Sequence, residues 1–264
     1  MRQRATRMGG NRAPAALAAR VAALMASFSG PKVWFDPSDI STLSQDSAGT
    51  TPVTAAGDGI GRIMDKSGAG NHATQTTTPS RPLWQTTYAA FDGTDDSWAT
   101  PSINFASTDK VTVIAGLRKL SDATIGVVTE LSAIASANAG AFYLAAPANT
   151  ATAELSFAQR GATTLAAARA LSLPAPLTAV TTGQMDLTTP SLNMRVNGVQ
   201  VLNVVTATGG GNFGNYPLFI GRRNSSSLPF NGNLFGLIIM GRLLSPDELW
   251  VCEQYMAQQA GISI

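Results

Sequence analysis

Two residue types that build many functional sites are nearly missing, because the 264-residue chain has one cysteine, Cys252, and one histidine, His72. A single cysteine cannot form an intrachain disulfide or a multi-cysteine metal site. A single histidine leaves little room for metal or acid–base chemistry. We therefore expect no cofactor and no bound metal. No apolar run approaches the ~20 residues that are needed to span a bilayer, so we do not expect this to be an integral membrane protein.

Charge is also scarce, since Asp, Glu, Lys and Arg make up only 13% of the residues. That is about half the usual share, and it argues against a coiled coil, a helical repeat array or a lysine-coated nucleic-acid-binding domain. Hydrophobic residues make up 44%, which is enough for a sizeable core. The length suits one large domain or two small ones, and all-β sandwiches often reach this length as a single unit.

The few charges are unevenly placed along the chain. Residues 1–30 hold five arginines and no acid, which leaves 13 basic and 16 acidic side chains in residues 31–264. These arginines are Arg2, Arg4, Arg7, Arg12 and Arg20. Arg20 interrupts the apolar run that a secretory signal would need, whereas a transit peptide fits the composition. We expect residues 1–30 to be a basic arm that docks on a partner molecule, with folding onto its own domain as the alternative.

The second half of the arm has the pattern of a short amphipathic helix. Pro14 suits a first helical turn, and Ser29, Gly30 and Pro31 form a stop signal. Apolar residues recur at helical spacing at Leu17, Val21, Leu24, Met25 and Phe28. This stripe predicts a helix that binds a partner's groove or self-associates into a dimer or trimer. Membrane-surface binding fits less well, because arginine and lysine are absent between Arg20 and the stop signal.

The rest of the chain has the pattern of many short strands. Residues 110–117 alternate between two faces, and Asn197-Gly198 is a strong hairpin signal between two apolar runs. Roughly ten or eleven strands of 4–8 residues follow one another between clusters of turn residues. This predicts an all-β fold, an antiparallel two-sheet jelly-roll sandwich. Residues 165–173 fit either a strand or a brief helix.

One helix is predicted near the end of the chain. Ser245, Pro246 and Glu248 have the spacing of a capping box with proline in the first turn. Gly261 provides the stop signal. Cys252 lies on the apolar face of this helix, so we interpret it as a small buried hydrophobe.

Several motifs resemble those of one protein family. They are residues 33–39 (VWFDPSD), 45–53 (QDSAGTTPV), 65–73 (DKSGAGNHA), 91–96 (FDGTDD) and 230–239 (FNGNLFGLII). They are similar to motifs of the concanavalin A-like (laminin-G-like) jelly-roll domains of phage virion structural proteins, although Ala69 stands where the family usually has asparagine. The resemblance covers about residues 31–264 and implies the same two-sheet fold.

The resemblance implies a phage virion protein, displayed on the capsid or tail surface and anchored through residues 1–30. Its partners would then be other virion proteins, and its location the virion. The arginines of the arm could also bind nucleic acid phosphates, but without a lysine-rich extension or interleaved aromatics we expect an acidic protein surface and no nucleic acid. The alternative is a glycan-binding adhesin module that attaches the virion to host surface polysaccharide. Fold alone does not choose between these functions.

An enzyme is not expected. A glycosidase needs two carboxylates at a fixed separation, and the hydrolases of this fold resemble one another in a Glu-x-Asp-x-Glu strand that is missing here. Glu130, Glu154 and Asp186 are isolated in the sequence, and Glu248 is explained as a cap. No nucleophile elbow, phosphate-binding loop or dinucleotide fingerprint is present.

Three groups of residues remain as candidate binding sites. Asp65–His72 could hold calcium or sugar, although a hydrogen-bonded turn explains the same residues. Asp92, Asp95 and Asp96, with Asp65, could hold one cation if they were adjacent, although an Asx-type turn explains them too. For glycan contact, the candidates beside loop signals are Trp84, Tyr216, Arg222 and Arg223.

Overall fold

Seventeen strands and two α-helices build the protein in a computed structural model, which describes residues 14–264. The strands are β1 (Lys32–Phe35), β2 (Leu43–Ser44), β3 (Arg62–Ile63), β4 (Ala73–Thr74), β5 (Leu83–Trp84), β6 (Ala89–Asp92), β7 (Trp98–Asn104), β8 (Lys110–Lys119), β9 (Val127–Leu131), β10 (Phe142–Ala145), β11 (Leu155–Arg160), β12 (Leu165–Ala170), β13 (Leu177–Asp186), β14 (Ser191–Val196), β15 (Val199–Val204), β16 (Asn215–Ile220) and β17 (Asn231–Met240). The helices are α1 (Pro14–Ser27) and α2 (Pro246–Gln259).

The strands form two antiparallel sheets that pack face to face. Sheet A has the order β15-β14-β13-β8-β17-β6-β5, and β1 pairs with β17 next to β6. Sheet B has the order β12-β11-β10-β9-β16-β7-β4-β3-β2. Buried side chains of both sheets, among them Val113 of sheet A and Phe157 of sheet B, fill the space between them. The predicted all-β sandwich is confirmed.

Local turn chemistry accounts for the connections that the sequence predicts best. Asn197 and Gly198 both have positive φ, at 49° and 75°, which is the backbone of a type I′ hairpin turn. Residues 165–170, ambiguous in the sequence, form β12, because they pair with β11 along its whole length. The two-residue strands β2 to β5 have too few residues to show any periodicity.

Helix α2 covers the outer face of sheet A. Cys252 and Met256 pack with Ile114 and Ile238, which point out of the sheet away from the sandwich core. The predicted capping box is confirmed, since Ser245 Oγ accepts from the Glu248 N–H and Glu248 Oε2 accepts from the Ser245 N–H. Neither described helix is long and apolar enough to cross a membrane.

Helix α1 packs on α2 and forms the outermost layer. Leu17, Val21 and Met25 are buried in the same cluster as α2, and Leu24 and Phe28 are half-buried against it. The predicted helix is therefore present, and its apolar stripe packs against α2 of the same chain, as in the alternative of an arm folded onto its own domain.

The remaining arm residues divide between two regions. Arg20 lies over the Trp250 ring of α2, 5.5 Å from its centroid, so it also contacts its own domain. Arg2, Arg4, Arg7 and Arg12 lie outside the described residues. Docking of residues 1–13 on a partner stays a prediction.

Candidate functional site: an arginine-rich face around Tyr143

The outer face of sheet B carries a half-buried tyrosine in the middle of β10. Phe142 and Leu144 point into the sandwich core, so Tyr143 between them faces outward. The strand register places it opposite Glu130 of β9 on one side and Ala158 of β11 on the other. Directly opposed side chains in adjacent strands are close enough to contact each other.

Glu130 is fully buried, and protein groups bind both of its carboxylate oxygens. Oε2 lies 2.7 Å from Arg223 Nε, and Oε1 accepts from the Ala135 N–H at 2.6 Å. Burial raises the pKa of Glu130, while Arg223 and the Ala135 N–H act in the opposite direction. Glu130 therefore holds Arg223 and the loop after β9 in place.

Three arginines lie on the same outer face of sheet B as the tyrosine ring. The Arg223 guanidinium lies 5.8 Å from the ring centroid of Tyr143. Arg169 of β12 is exposed and faces outward, because it is opposite Ser156, which lies two residues from Ala158 on the same face of β11.

Arg160 is the third arginine. It lies two residues from Ala158 in the other direction along β11, which is roughly 7 Å. We call Tyr143, Glu130, Arg160, Arg169 and Arg223 the Tyr143 face.

The Tyr143 hydroxyl is free to bind a ligand. Within residues 14–264 it has no hydrogen-bond partner, and the residue is half-buried. Burial raises the pKa of Tyr143, and the positive charges of Arg169 and Arg223 act in the opposite direction. The phenol therefore stays protonated near neutral pH and can donate a hydrogen bond.

The structure brings one predicted glycan-contact residue, Arg223, into this face, and Arg222 precedes it in the same turn. The prediction that Trp84 is an exposed aromatic is wrong. Its ring is 8% exposed within the inter-sheet core, and its Nε1 donates to the Pro37 carbonyl at 2.9 Å. Tyr216 packs against that core too, and its hydroxyl donates to Ala139. Glycan contact by Tyr216 stays a prediction.

The sequence does not reveal Tyr143, Glu130 and Arg169 as neighbours. Tyr143 is the one residue with a polar group in the side chain in a short apolar strand, and Glu130 has no acidic residue nearby in the sequence. The one available signal is their alternation with core residues, which places them on the outer face once the strands are known.

The predicted acidic turn does bring three carboxylates together. Ligand oxygens of Asp92, Asp95 and Asp96 lie within 4.8 Å of one another, and Asp65 is not part of this group. Asp92 Oδ1 accepts from the Thr94 N–H at 2.7 Å and Asp96 Oδ2 from the Asp92 N–H at 2.9 Å. These are the bonds of an Asx-type turn.

The turn at residues 65–72 is held by its own hydrogen bonds. Asp65 Oδ1 accepts from the Trp34 and Ser67 N–H groups, and Oδ2 accepts from Asn71. His72 Nδ1 accepts from the Asp65 N–H at 3.0 Å. Oδ1 of Asp65 thus joins this turn to β1, and Oδ2 holds the turn itself together, which agrees with the hydrogen-bonded turn expected from the sequence.

A cleft of about 280 Å³ lies on the opposite side of the sandwich, between the β14–β15 hairpin and α2. Trp250 lines it and is 47% exposed. Its charged groups bind each other, since Arg195 Nε lies 2.8 Å from Glu253 Oε1, which also accepts from Thr182. This cleft therefore has fewer free polar groups than the Tyr143 face.

No known family model matches the chain, and no curated protein matches it. Solved structures do resemble it. The binding domain of botulinum neurotoxin serotype G has a TM-score of 0.55 and 10% identity over 74% of this chain and 48% of that one. A structure of botulinum neurotoxin type C, whose cell entry depends on interaction with two ganglioside molecules, has a TM-score of 0.53 and 11% identity over 74% and 48%.

A third structure is less similar. The CBM40 of Ruminococcus gnavus IT-sialidase, bound to α2,3-sialyllactose, has a TM-score of 0.43 and 14% identity over 55% of this chain and 82% of that one. The chain spans about half the length of the two toxin structures. At these identities the similarity to the toxin domains shows a shared β-sandwich fold and nothing further.

Proposed function

We propose that the chain is a glycan-binding module without catalytic activity, and that its ligand contacts the Tyr143 face. The observation that carries this proposal is the free Tyr143 hydroxyl on a half-buried ring flanked by exposed Arg169. An aromatic ring with nearby polar donors suits a sugar. The ring packs against the C–H face of the sugar, while the donors bind the sugar's hydroxyl groups. The ganglioside interaction of the structurally similar type C neurotoxin supports this class of ligand.

The same face is a poor place for hydrolysis. Glycosidases need two carboxylates in reach of the scissile bond. The carboxylate of the Tyr143 face, Glu130, is fully buried, and its two oxygens accept from Arg223 and Ala135. A binding role uses Glu130 only to position Arg223, which its geometry already does.

The test is binding of the full chain to immobilised glycans and to bacterial cell envelopes. Tyr143→Ala is expected to weaken binding at least about tenfold, because a buried aromatic contact is worth roughly 1.5–3 kcal/mol. Trp250→Ala is the matched control, since this exposed aromatic lies on the helix side of the sandwich. Loss of binding in Trp250→Ala with no change in Tyr143→Ala would move the site to the α2 cleft and overturn the proposal.

The resemblance to phage virion proteins suggests that residues 1–13 attach the module to a phage particle. They join the body at Pro14, in the helix layer that covers sheet A, whereas the Tyr143 face is on the outer side of sheet B. Attachment on the helix side would leave the Tyr143 face exposed. A full chain with Arg2, Arg4, Arg7 and Arg12 changed to Gln should then lose association with particles and keep glycan binding.

A further inference from the structure

The Tyr143 face has the opposite charge from the domain that carries it. Residues 31–264 hold 13 basic and 16 acidic side chains, so the body is net negative. The Tyr143 face has three arginines and one carboxylate, and that carboxylate is paired with Arg223. A positive surface on a negative body attracts anions and steers them to one place.

Two of the three arginines have no acidic partner. Within residues 14–264, Arg160 and Arg169 form no ion pair, and the Nε–H of Arg160 is buried with no acceptor. Residues 1–13 contain no Asp or Glu that could pair with them. A guanidinium carries five N–H donors, so an arginine without an acidic partner keeps donors for the oxygens of a ligand.

The acid that precedes β11 does not neutralise Arg169. Glu154 precedes β11 by one residue, and its Oε2 accepts from Asn149 Nδ2 at 3.1 Å. It is not within ion-pair distance of either unpaired arginine. The positive charge of the Tyr143 face is therefore available to a ligand.

We propose that the Tyr143 face selects acidic glycans, with Arg169 binding a sugar carboxylate while the Tyr143 ring packs on the same sugar. This inference rests on the proposed function. Arginine suits the role, because its planar guanidinium binds both oxygens of a carboxylate at once. A carboxylate bound in this way adds charge-assisted hydrogen bonds that a neutral sugar cannot form.

A nucleic acid is the less suitable anion for this surface. Proteins that bind single strands stack successive bases on several aromatic rings along a basic groove. Here the Tyr143 ring is half-buried. Phe219 of β16 lies opposite Glu130 on the side away from Tyr143, and it is only 9% exposed, so it offers no second ring. One ring between arginines accommodates one sugar and its carboxylate.

The experiment compares two forms of one polymer: polygalacturonate, which carries free carboxylates, and the same polymer fully methyl-esterified. Polysialic acid and its carboxyl-reduced form make a second pair. The full chain is expected to bind the acidic member of at least one pair about tenfold more tightly than its neutral form, as expected for one lost charge-assisted contact. Arg169→Gln should remove that difference, and Arg169→Lys should keep part of it.

Arg118→Gln is the matched control, because Arg118 is an exposed arginine on sheet A. It should leave affinity unchanged within about twofold, as expected for an exposed charge far from the ligand.

Equal binding of acidic and neutral forms, with loss of binding in Tyr143→Ala, would overturn the acidic preference and leave the glycan-binding function standing. Absence of binding to every glycan and envelope would overturn both. Tighter binding to oligo(dT) than to any glycan, lost in Arg169→Gln, would assign the face to nucleic acid and overturn the inference.

Discussion

The Tyr255 hydroxyl of α2 donates a 2.6 Å hydrogen bond to Asp36 Oδ2, which immediately follows β1. Lys66 Nζ binds the same oxygen at 2.7 Å, and its ammonium lies 4.7 Å from the Trp34 ring centroid. Tyr255 and Trp34 contact each other edge to face, with centroids 5.6 Å apart. This buried network joins the helix layer to sheet A through residues from both ends of the domain.

Removing the Tyr255 hydroxyl should destabilise the protein. Burial raises the pKa of Tyr255, so the hydroxyl stays protonated and donates to Asp36. In Tyr255→Phe the buried Asp36 carboxylate loses one of its donors, and we expect the free energy of unfolding in urea to fall by about 1–3 kcal/mol. Tyr88→Phe is the control, because the Tyr88 ring packs on Phe235 and its hydroxyl has no partner within residues 14–264. An equal loss in both variants would contradict the prediction.

The α1 layer should contribute to the stability of the domain. Val21 is fully buried against α2, so Val21→Ala removes two buried methyl groups and should cost about 1–3 kcal/mol of unfolding free energy. Ala22→Lys, on the exposed face of the same helix, should cost less than about 0.5 kcal/mol. If Val21→Ala leaves stability unchanged, α1 does not pack on this domain in solution and is available to a partner.

Asp96 should make stability fall as the pH rises between about 4 and 6. Burial raises the pKa of Asp96 to about 6, and the charges of Asp92 and Asp95 act in the same direction. In that pH range the folded chain keeps a proton that the unfolded chain has released, so raising the pH favours unfolding. Asp96→Asn removes this effect, while its amide oxygen can still accept from the Asp92 N–H.

Asp96→Asn should therefore exceed the wild type by about 1–3 kcal/mol at pH 7 and match it near pH 3.5, measured by urea unfolding. A difference that does not change with pH would rule out titration of Asp96 as the cause. A rise in Tm on adding calcium to the wild type, absent in the variant, would favour the cation-site interpretation of this turn.

The Arg223–Glu130 pair should be needed for folding as well as for the shape of the Tyr143 face. Arg223→Met leaves the buried carboxylate without its cation and should cost about 3–5 kcal/mol at pH 7. The loss should shrink in acid, where Glu130 takes up a proton and no longer needs a counter-charge. The double variant Arg223→Met with Glu130→Gln should recover most of the stability, and no recovery would show that Arg223 acts through contacts other than Glu130.

Much of the fold could be predicted because its signals are local. The Asn197-Gly198 turn needs two adjacent residues that tolerate positive φ, and the α2 cap needs Ser245 and Glu248 three positions apart. Alternation within residues 110–117 likewise depends on one strand alone. Such patterns survive in the folded protein whatever surrounds them.

Exposure of individual side chains could not be predicted in the same way. Trp84 lies beside turn residues in the sequence, yet its ring fills the inter-sheet core, because β5 pairs with β6 at the edge of sheet A. The stripe of α1 has the same pattern whether it meets a partner or its own α2. In both cases the deciding contact is with a segment far away in the sequence.

The sequence by itself determined the all-β composition, the hairpin at Asn197-Gly198 and the capped C-terminal helix, because each depends on residues a few positions apart. Only the tertiary structure decided that Arg223 meets Glu130, 93 residues away, beside Tyr143. It also decided that α1 rests on α2. Strand register and layer packing set these contacts, and both follow from how the whole chain buries its apolar surface.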